Sequence, residues 1–228
     1  NLDIRIGLHQ KYSQNPQPWF EWIYEQLNLK EKDEVLELGC GTGELWKNKN
    51  LPKNVHVTLS DQSQGMVKDA RNYVGEGKGQ ISYQMIDCRQ IPKEDHSFDK
   101  VIANHVLFYL DDRQQVFNEI KRFLKQNGTF ICSTYGSSHM QEITKLIKDF
   151  DERITLSDHK LYDVFGLENG EEQLKKVFSQ VKEIDYEDEL LVDQPEPLIS
   201  YILSWHGNQH EYLNHRYLEF KDFVRKKM

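Results

Sequence analysis

Glu37-Leu38-Gly39-Cys40-Gly41-Thr42-Gly43 follows the apolar pair Val35 and Leu36 and opens into Glu44, Leu45 and Trp46. A buried strand that ends in three alternating glycines, just before a helix, brings the backbone close to a bound ligand because no Cβ holds it off. The spacing decides the kind of ligand. The dinucleotide fingerprint G-x-G-x-x-G sets a pyrophosphate on a helix N-terminus. Here the pattern is E-x-G-x-G-x-G, with an acid before the first glycine and no further glycine inside the helix.

Working outward, Val55, Val57 and Leu59 alternate with polar residues and end at Ser60-Asp61, which puts Asp61 at the carboxyl end of a second strand. A carboxylate there can accept both hydroxyls of a ribose. Ile81, Tyr83 and Met85 alternate next and lead into Ile86-Asp87-Cys88. A fourth run spans Phe98 to Tyr109, and Leu124 to Ile131 reads as a helix end, a turn and a fifth strand.

These five elements, in this order over about residues 34 to 135, resemble the class I S-adenosylmethionine-dependent methyltransferases of the small-molecule type. The resemblance implies an α/β fold with a doubly wound, mostly parallel seven-stranded sheet, and S-adenosyl-L-methionine as cofactor. It implies that the glycine loop packs against the methionine and ribose portion and that Asp87 meets the adenine amino group. On the same footing Glu37, Gly39, Cys40, Gly41, Gly43, Asp61, Gln62, Cys88 and Asn104 line the cofactor site, and Tyr12 folds over the methionine tail. Simpler readings stand beside these. Turn glycines, Asp residues serving as helix caps, and small buried thiols at Cys40 and Cys88 would give the same letters.

The chain has 228 residues, 38% hydrophobic and 29% charged, which fits one ordinary globular α/β core with a small cover. No apolar run is long enough to cross a bilayer and no signal peptide is visible, so a cytoplasmic location without membrane contact is expected. Three scattered cysteines indicate neither a disulfide framework nor a zinc site. The formal net charge of -8 disfavours a nucleic-acid track, and the basic groups Lys121, Arg122, Lys125 and Arg225, Lys226, Lys227 read as solvated surface. A small-molecule acceptor is the expected partner.

The expected organisation is a helical cover over residues 1–30, a cofactor-binding core over 31–136 and, over 137–228, the rest of the same domain with substrate-side helices. Aromatic and aliphatic residues at 19, 20, 23, 24 and 27 predict one helix. Further helices are predicted from Ser63 to Tyr73, from Asp112 to Lys125, at about 139–150 and 168–178, and beyond Pro195. Gly75 to Gly79 reads as a turn and Asp151 to Val164 as a mobile cover. Val181, Ile184, Tyr186 and Leu190 to Val192 suggest a strand or bent hairpin. The helical pattern to Met228 departs from the family's closing strand pair, so a final strand is either missing from this sequence or supplied by Glu189 to Val192.

A sulfonium methyl donor is already activated, so the protein must align the reactants for in-line displacement and make the acceptor electron-rich. His105, after the fourth strand, is the candidate general base, with Tyr109, His139 and Trp205 as candidate substrate contacts. The histidines His206, His210 and His215 read as exposed helix residues, and no metal is expected. The acceptor atom, oxygen, nitrogen, carbon or sulfur, is left open. A cofactor-binding regulatory protein, an RNA methyltransferase and an oxidoreductase on the same fold are the alternatives.

Overall fold

The computed structural model describes residues 2–75, 79–157 and 160–228. The turn expected at Gly75 to Gly79 and the cover expected at Asp151 to Val164 therefore fall partly outside the described residues. Two compact units are formed: Trp19–Gly136 with Leu161–Glu183, and Asn1–Pro18 with Ser137–Lys160 and Ile184–Met228. The first thirty residues thus divide at Pro18/Trp19, and the stretch after Gly136 divides as well, residues 161–183 staying with the sheet.

In the sheet unit, β1 (Glu34–Leu38), β2 (His56–Asp61), β3 (Ile81–Met85), β4 (Phe98–Asn104) and β5 (Leu124–Ser133) pair in the order β3-β2-β1-β4-β5, all parallel. The chain winds to one side of β1 and then returns to the other, which is the doubly wound arrangement expected. Neighbouring β1 residues enter opposite layers. Val35 packs with Ile23, Val57, Leu59 and Ala70, while Leu36 packs with Val101, Val116, Ile120 and Phe123. Helices α2 (Trp19–Gln26) and α3 (Gln64–Val74) supply the first layer, and α4 (Arg113–Phe123) supplies the second.

Local chemistry fixes these helices where the sequence places them. The Ser63 hydroxyl accepts the Met66 N–H at 3.3 Å, and the Asp112 carboxylate accepts the Gln115 N–H at 2.9 Å. Each such cap is worth about 1 kcal/mol. Helix α4 stops at Phe123, slightly short of the predicted Lys125, because β5 already begins at Leu124. The predicted turn survives as an irregularity inside β5: Phe98 pairs with Leu124 but Lys100 with Thr129. The short helices α6 (Leu161–Val164) and α7 (Gly170–Lys175) complete the unit.

Five strands are seen among the described residues, not seven. The stretch from Val181 to Val192 forms no sheet strand, and Glu189 to Val192 does not supply one; Leu190 makes an isolated antiparallel bridge to Ser13. Lys182, Glu183, Asp185, Glu187, Asp188 and Glu189 leave this run too little apolar surface to bury a sheet face.

The helical unit consists of α1 (Leu2–Tyr12), α5 (Gln141–Phe150), α8 (Pro195–Leu203), α9 (Gln209–Leu213) and α10 (Tyr217–Lys227). Leu8, Ile143, Ile147, Ile199, Ile202, Phe220 and Val224 form its core. Helix α1 is a second helix within the first thirty residues, where the apolar spacing pointed to one. Among the described residues no helix is long and apolar enough to cross a membrane.

Candidate active site

The switch point of the sheet lies between β1 and β4, and a crevice at the carboxyl ends of such strands is where this architecture binds ligands. Gly39, Gly41 and Gly43 all have positive φ, at 70°, 55° and 82°. Packing adds a second reason for glycine at two of them. A Cβ on Gly39 would sit 2.5 Å from Val106 Cγ2, and one on Gly43 would sit 2.6 Å from Val74 Cγ2. The glycine turn is thus pressed against the segment that follows β4 and against α3.

Hydrogen bonds hold the turn to β2. Cys40 N–H donates to the Ser60 carbonyl at 2.8 Å, and Gly41 N–H donates to Asp61 Oδ2 at 3.1 Å. Asp61 Oδ1 accepts the Ser63 N–H at 2.9 Å. Each carboxylate oxygen has room for about two donors, so Asp61 retains two acceptor positions that suit a vicinal diol. Its side chain is half-buried, and neighbouring Gln62 is exposed.

Glu37 does not face solvent at all. Its Oε2 accepts the Trp46 indole N–H at 2.6 Å, and burial pushes its carboxyl up to about 7 despite that bond, with the nearby Asp61 charge adding to the rise. Trp46 went unsingled in the sequence, although an aromatic donor directly beyond the glycines was the available signal.

Asp87 occupies the turn after β3, with its two oxygens engaged by Arg89. Oδ1 accepts the Arg89 backbone N–H and Nε, both at 2.9 Å, and Oδ2 accepts Nη2 at 2.6 Å and Nε at 3.1 Å. The side-chain and backbone hydrogen bonds from Arg89 hold the carboxyl down at about 2, so it is ionised at neutral pH. Cys88 beside it is buried, with its thiol pushed up to about 11 by burial; Cys40 is likewise raised by burial. Neither is a thiolate, so both contribute shape and backbone.

At the end of β4, Asn104 Oδ1 accepts the Ser133 hydroxyl, whose oxygen in turn accepts the His105 N–H at 3.1 Å. Ser133, at the end of β5, was not singled out in the sequence. His105 holds a left-handed conformation with φ 54°, a state non-glycine residues keep only when their surroundings impose it. Its ring lies 5.4 Å from that of Trp19 and 6.3 Å from those of Phe108 and Tyr135. Tyr109 follows, 62% exposed, edge-on to Phe108.

Three expected residues belong to the helical unit. Tyr12 is buried at 5% exposure in its core. His139 stacks on His9 at 6.1 Å, and burial, reinforced by His9, pushes it down to about 4. Trp205 lies edge-on to Tyr201. His139, His9, Tyr201 and Trp205 thereby form one chain of rings.

A family model described as a methyltransferase domain matches residues 36–132, the stretch from β1 through β5. Residues 36–132 are thus similar to a class I S-adenosylmethionine-dependent methyltransferase domain. The cofactor of this domain is S-adenosyl-L-methionine, and the free acceptor positions of Asp61 beside the glycine turn fit its ribose. Among curated relatives, a ubiquinone/menaquinone biosynthesis C-methyltransferase of Desulfotalea psychrophila is 29% identical over 119 residues, 51% of this chain and 47% of the relative. A malonyl-[acyl-carrier protein] O-methyltransferase of Ilyobacter polytropus is 25% identical over 127 residues, 55% of this chain and 48% of the relative. The chain spans about half the length of these relatives. The fold is also that of a crystal structure of a Bacillus halodurans putative methyltransferase, with TM-score 0.53 and 20% identity over 70% of this chain and 68% of that one.

Proposed function

We propose that this protein transfers a methyl group from S-adenosyl-L-methionine to a small organic acceptor by direct in-line displacement. The observation that carries the reading is the switch point itself, where a glycine turn gripped by Asp61 stands beside a strained histidine fixed by Ser133. When bound, the cofactor supplies a methyl group already activated on a sulfonium sulfur.

The chain's own residues then divide the work. Asp61 takes the ribose hydroxyls, Asp87 takes the adenine amino group once it gives up part of its bond to Arg89, and Gly39 to Gly43 set the backbone against the methionine portion. Glu37 acts from behind, through Trp46, to hold the turn. His105 faces the acceptor and removes its proton, with Asn104 and Ser133 keeping its backbone in place and Tyr109 lining the acceptor side. Alignment in such a site is worth up to about 7–11 kcal/mol and a positioned base ~10²- to 10⁴-fold in rate.

The two relatives are named as a C- and an O-methyltransferase, so the shared domain leaves the acceptor atom open. The net charge of -8 favours a small acceptor over a nucleic acid. Calorimetry with S-adenosylhomocysteine tests the donor half: micromolar binding that Asp61→Ala abolishes supports the reading, and absence of binding to the wild type sinks it. Consumption of S-adenosylmethionine with candidate acceptors then separates an enzyme from a protein that only binds the cofactor.

A further inference from the structure

The buried side-chain polar atoms left without a hydrogen-bond partner among the described residues all belong to the helical unit. Two of them, Arg5 Nε and the Tyr12 hydroxyl, project from α1. Residues 5, 9 and 12 recur at steps of four and three, so Arg5, His9 and Tyr12 share one face over about 10 Å of helix. That face meets α8 and its end: His9 lies edge-on to Tyr201 at 6.3 Å, and the Arg5 guanidinium sits 5.4 Å over the Trp205 ring.

Stacking satisfies only part of Arg5. A guanidinium over an indole uses its flat face, whereas its N–H donors point outward in the plane. Nε–H is one of the two parallel donors through which arginine grips a carboxylate side-on. Here that donor is buried with nothing to bond. Stacking alone does not explain leaving it so, since a buried unsatisfied donor, and a charged one above all, bears its full desolvation penalty. At the far end of the same face, Tyr12 is 5% exposed with its hydroxyl equally unused. His9 stands between them, and its burial favours the neutral ring, which donates one hydrogen bond without adding charge.

We infer that the helical unit binds an elongated small carboxylic acid, its carboxylate paired with the edge of Arg5 and a polar group at its other end taken by Tyr12. As a carboxylate site this stands on the helical unit alone.

The full chain is titrated with 4-hydroxybenzoate, benzoate and the uncharged 4-hydroxybenzamide, following the indole N–H resonance of Trp205, assigned with Trp205→Phe. The expected result is saturable binding of 4-hydroxybenzoate at least ~10-fold tighter than its amide, the scale of one charge-assisted pair. Arg5→Gln should erase that preference, and Arg5→Lys, which keeps the charge but not the fork, should lose most of it. Tyr12→Phe should bring 4-hydroxybenzoate down to the level of benzoate. Equal binding of acid and amide, or a preference that survives both Arg5 substitutions, overturns the site. Inorganic phosphate binding as tightly as 4-hydroxybenzoate overturns the carboxylate assignment. Binding of S-adenosylhomocysteine is measured separately, so failure of the donor reading and failure of this site are told apart.

Discussion

The indole N–H of Trp46 donates to the buried carboxyl of Glu37 at 2.6 Å, joining the end of β1 to the third residue beyond Gly43. The bond closes the glycine turn from behind, with a carboxyl that burial raises to about 7.

Stability should therefore carry a signature of Glu37. Its carboxyl is raised from 4.5 to about 7 in the fold, so the folded state binds the extra proton between those values. The stabilising contribution is fully present below about pH 4.5 and is lost as pH rises through about 7, a difference of about 3 kcal/mol. Urea unfolding from pH 5 to pH 8 should show the wild type losing ground to Glu37→Gln by roughly that amount. Parallel curves for the two proteins would remove the buried carboxyl from the account.

Gly39→Ala should cost about 2 kcal/mol or more and abolish S-adenosylhomocysteine binding, because the new methyl meets Val106 Cγ2 at 2.5 Å on a backbone with φ 70°. The double variant Gly39→Ala with Val106→Ala removes the collision but not the backbone strain. It should recover only part of the stability by thermal unfolding, and full recovery would show that packing alone demands the glycine.

Arg89→Ala should raise, not lower, the affinity for S-adenosylhomocysteine. Arg89 occupies both Asp87 oxygens, so removing it frees the carboxylate for the adenine amino group. Calorimetry on Arg89→Ala and Asp87→Asn checks this. A fall in affinity with Arg89→Ala would mean that the arginine itself holds the ligand.

His105→Asn keeps a residue type tolerant of the left-handed backbone while removing the imidazole. Turnover should fall ~10²-fold or more with binding of S-adenosylhomocysteine nearly unchanged. Unaltered turnover would leave His105 as a backbone element only.

Much of the sheet unit was legible because its signals are local. Three glycines need positive φ within a few residues, and Ser63 and Asp112 cap the helices that follow them. What escaped reading depends on partners far along the chain. Helix α1 buries only Leu8 and Tyr12, and its apolar residues at 2, 4, 6 and 8 carry no helical stripe. The run from Val181 to Val192 has strand-like spacing, yet pairing requires a neighbour, and only Leu190 finds a bridge, to Ser13. Ser133 looks ordinary until β5 lies beside β4, and the Asp87 to Arg89 clasp depends on a turn that spacing alone does not reveal.

Asp61 binds the glycine turn with one oxygen and the start of α3 with the other, so the donor side of the crevice is a single casting with no hinge. A synthetic donor bearing a longer alkyl chain on sulfur would find no slack there. On the proposed reading, room for it would be carved at Tyr109, whose ring already stands in solvent. Redesign toward ethyl or allyl transfer begins at that tyrosine and leaves the glycines alone.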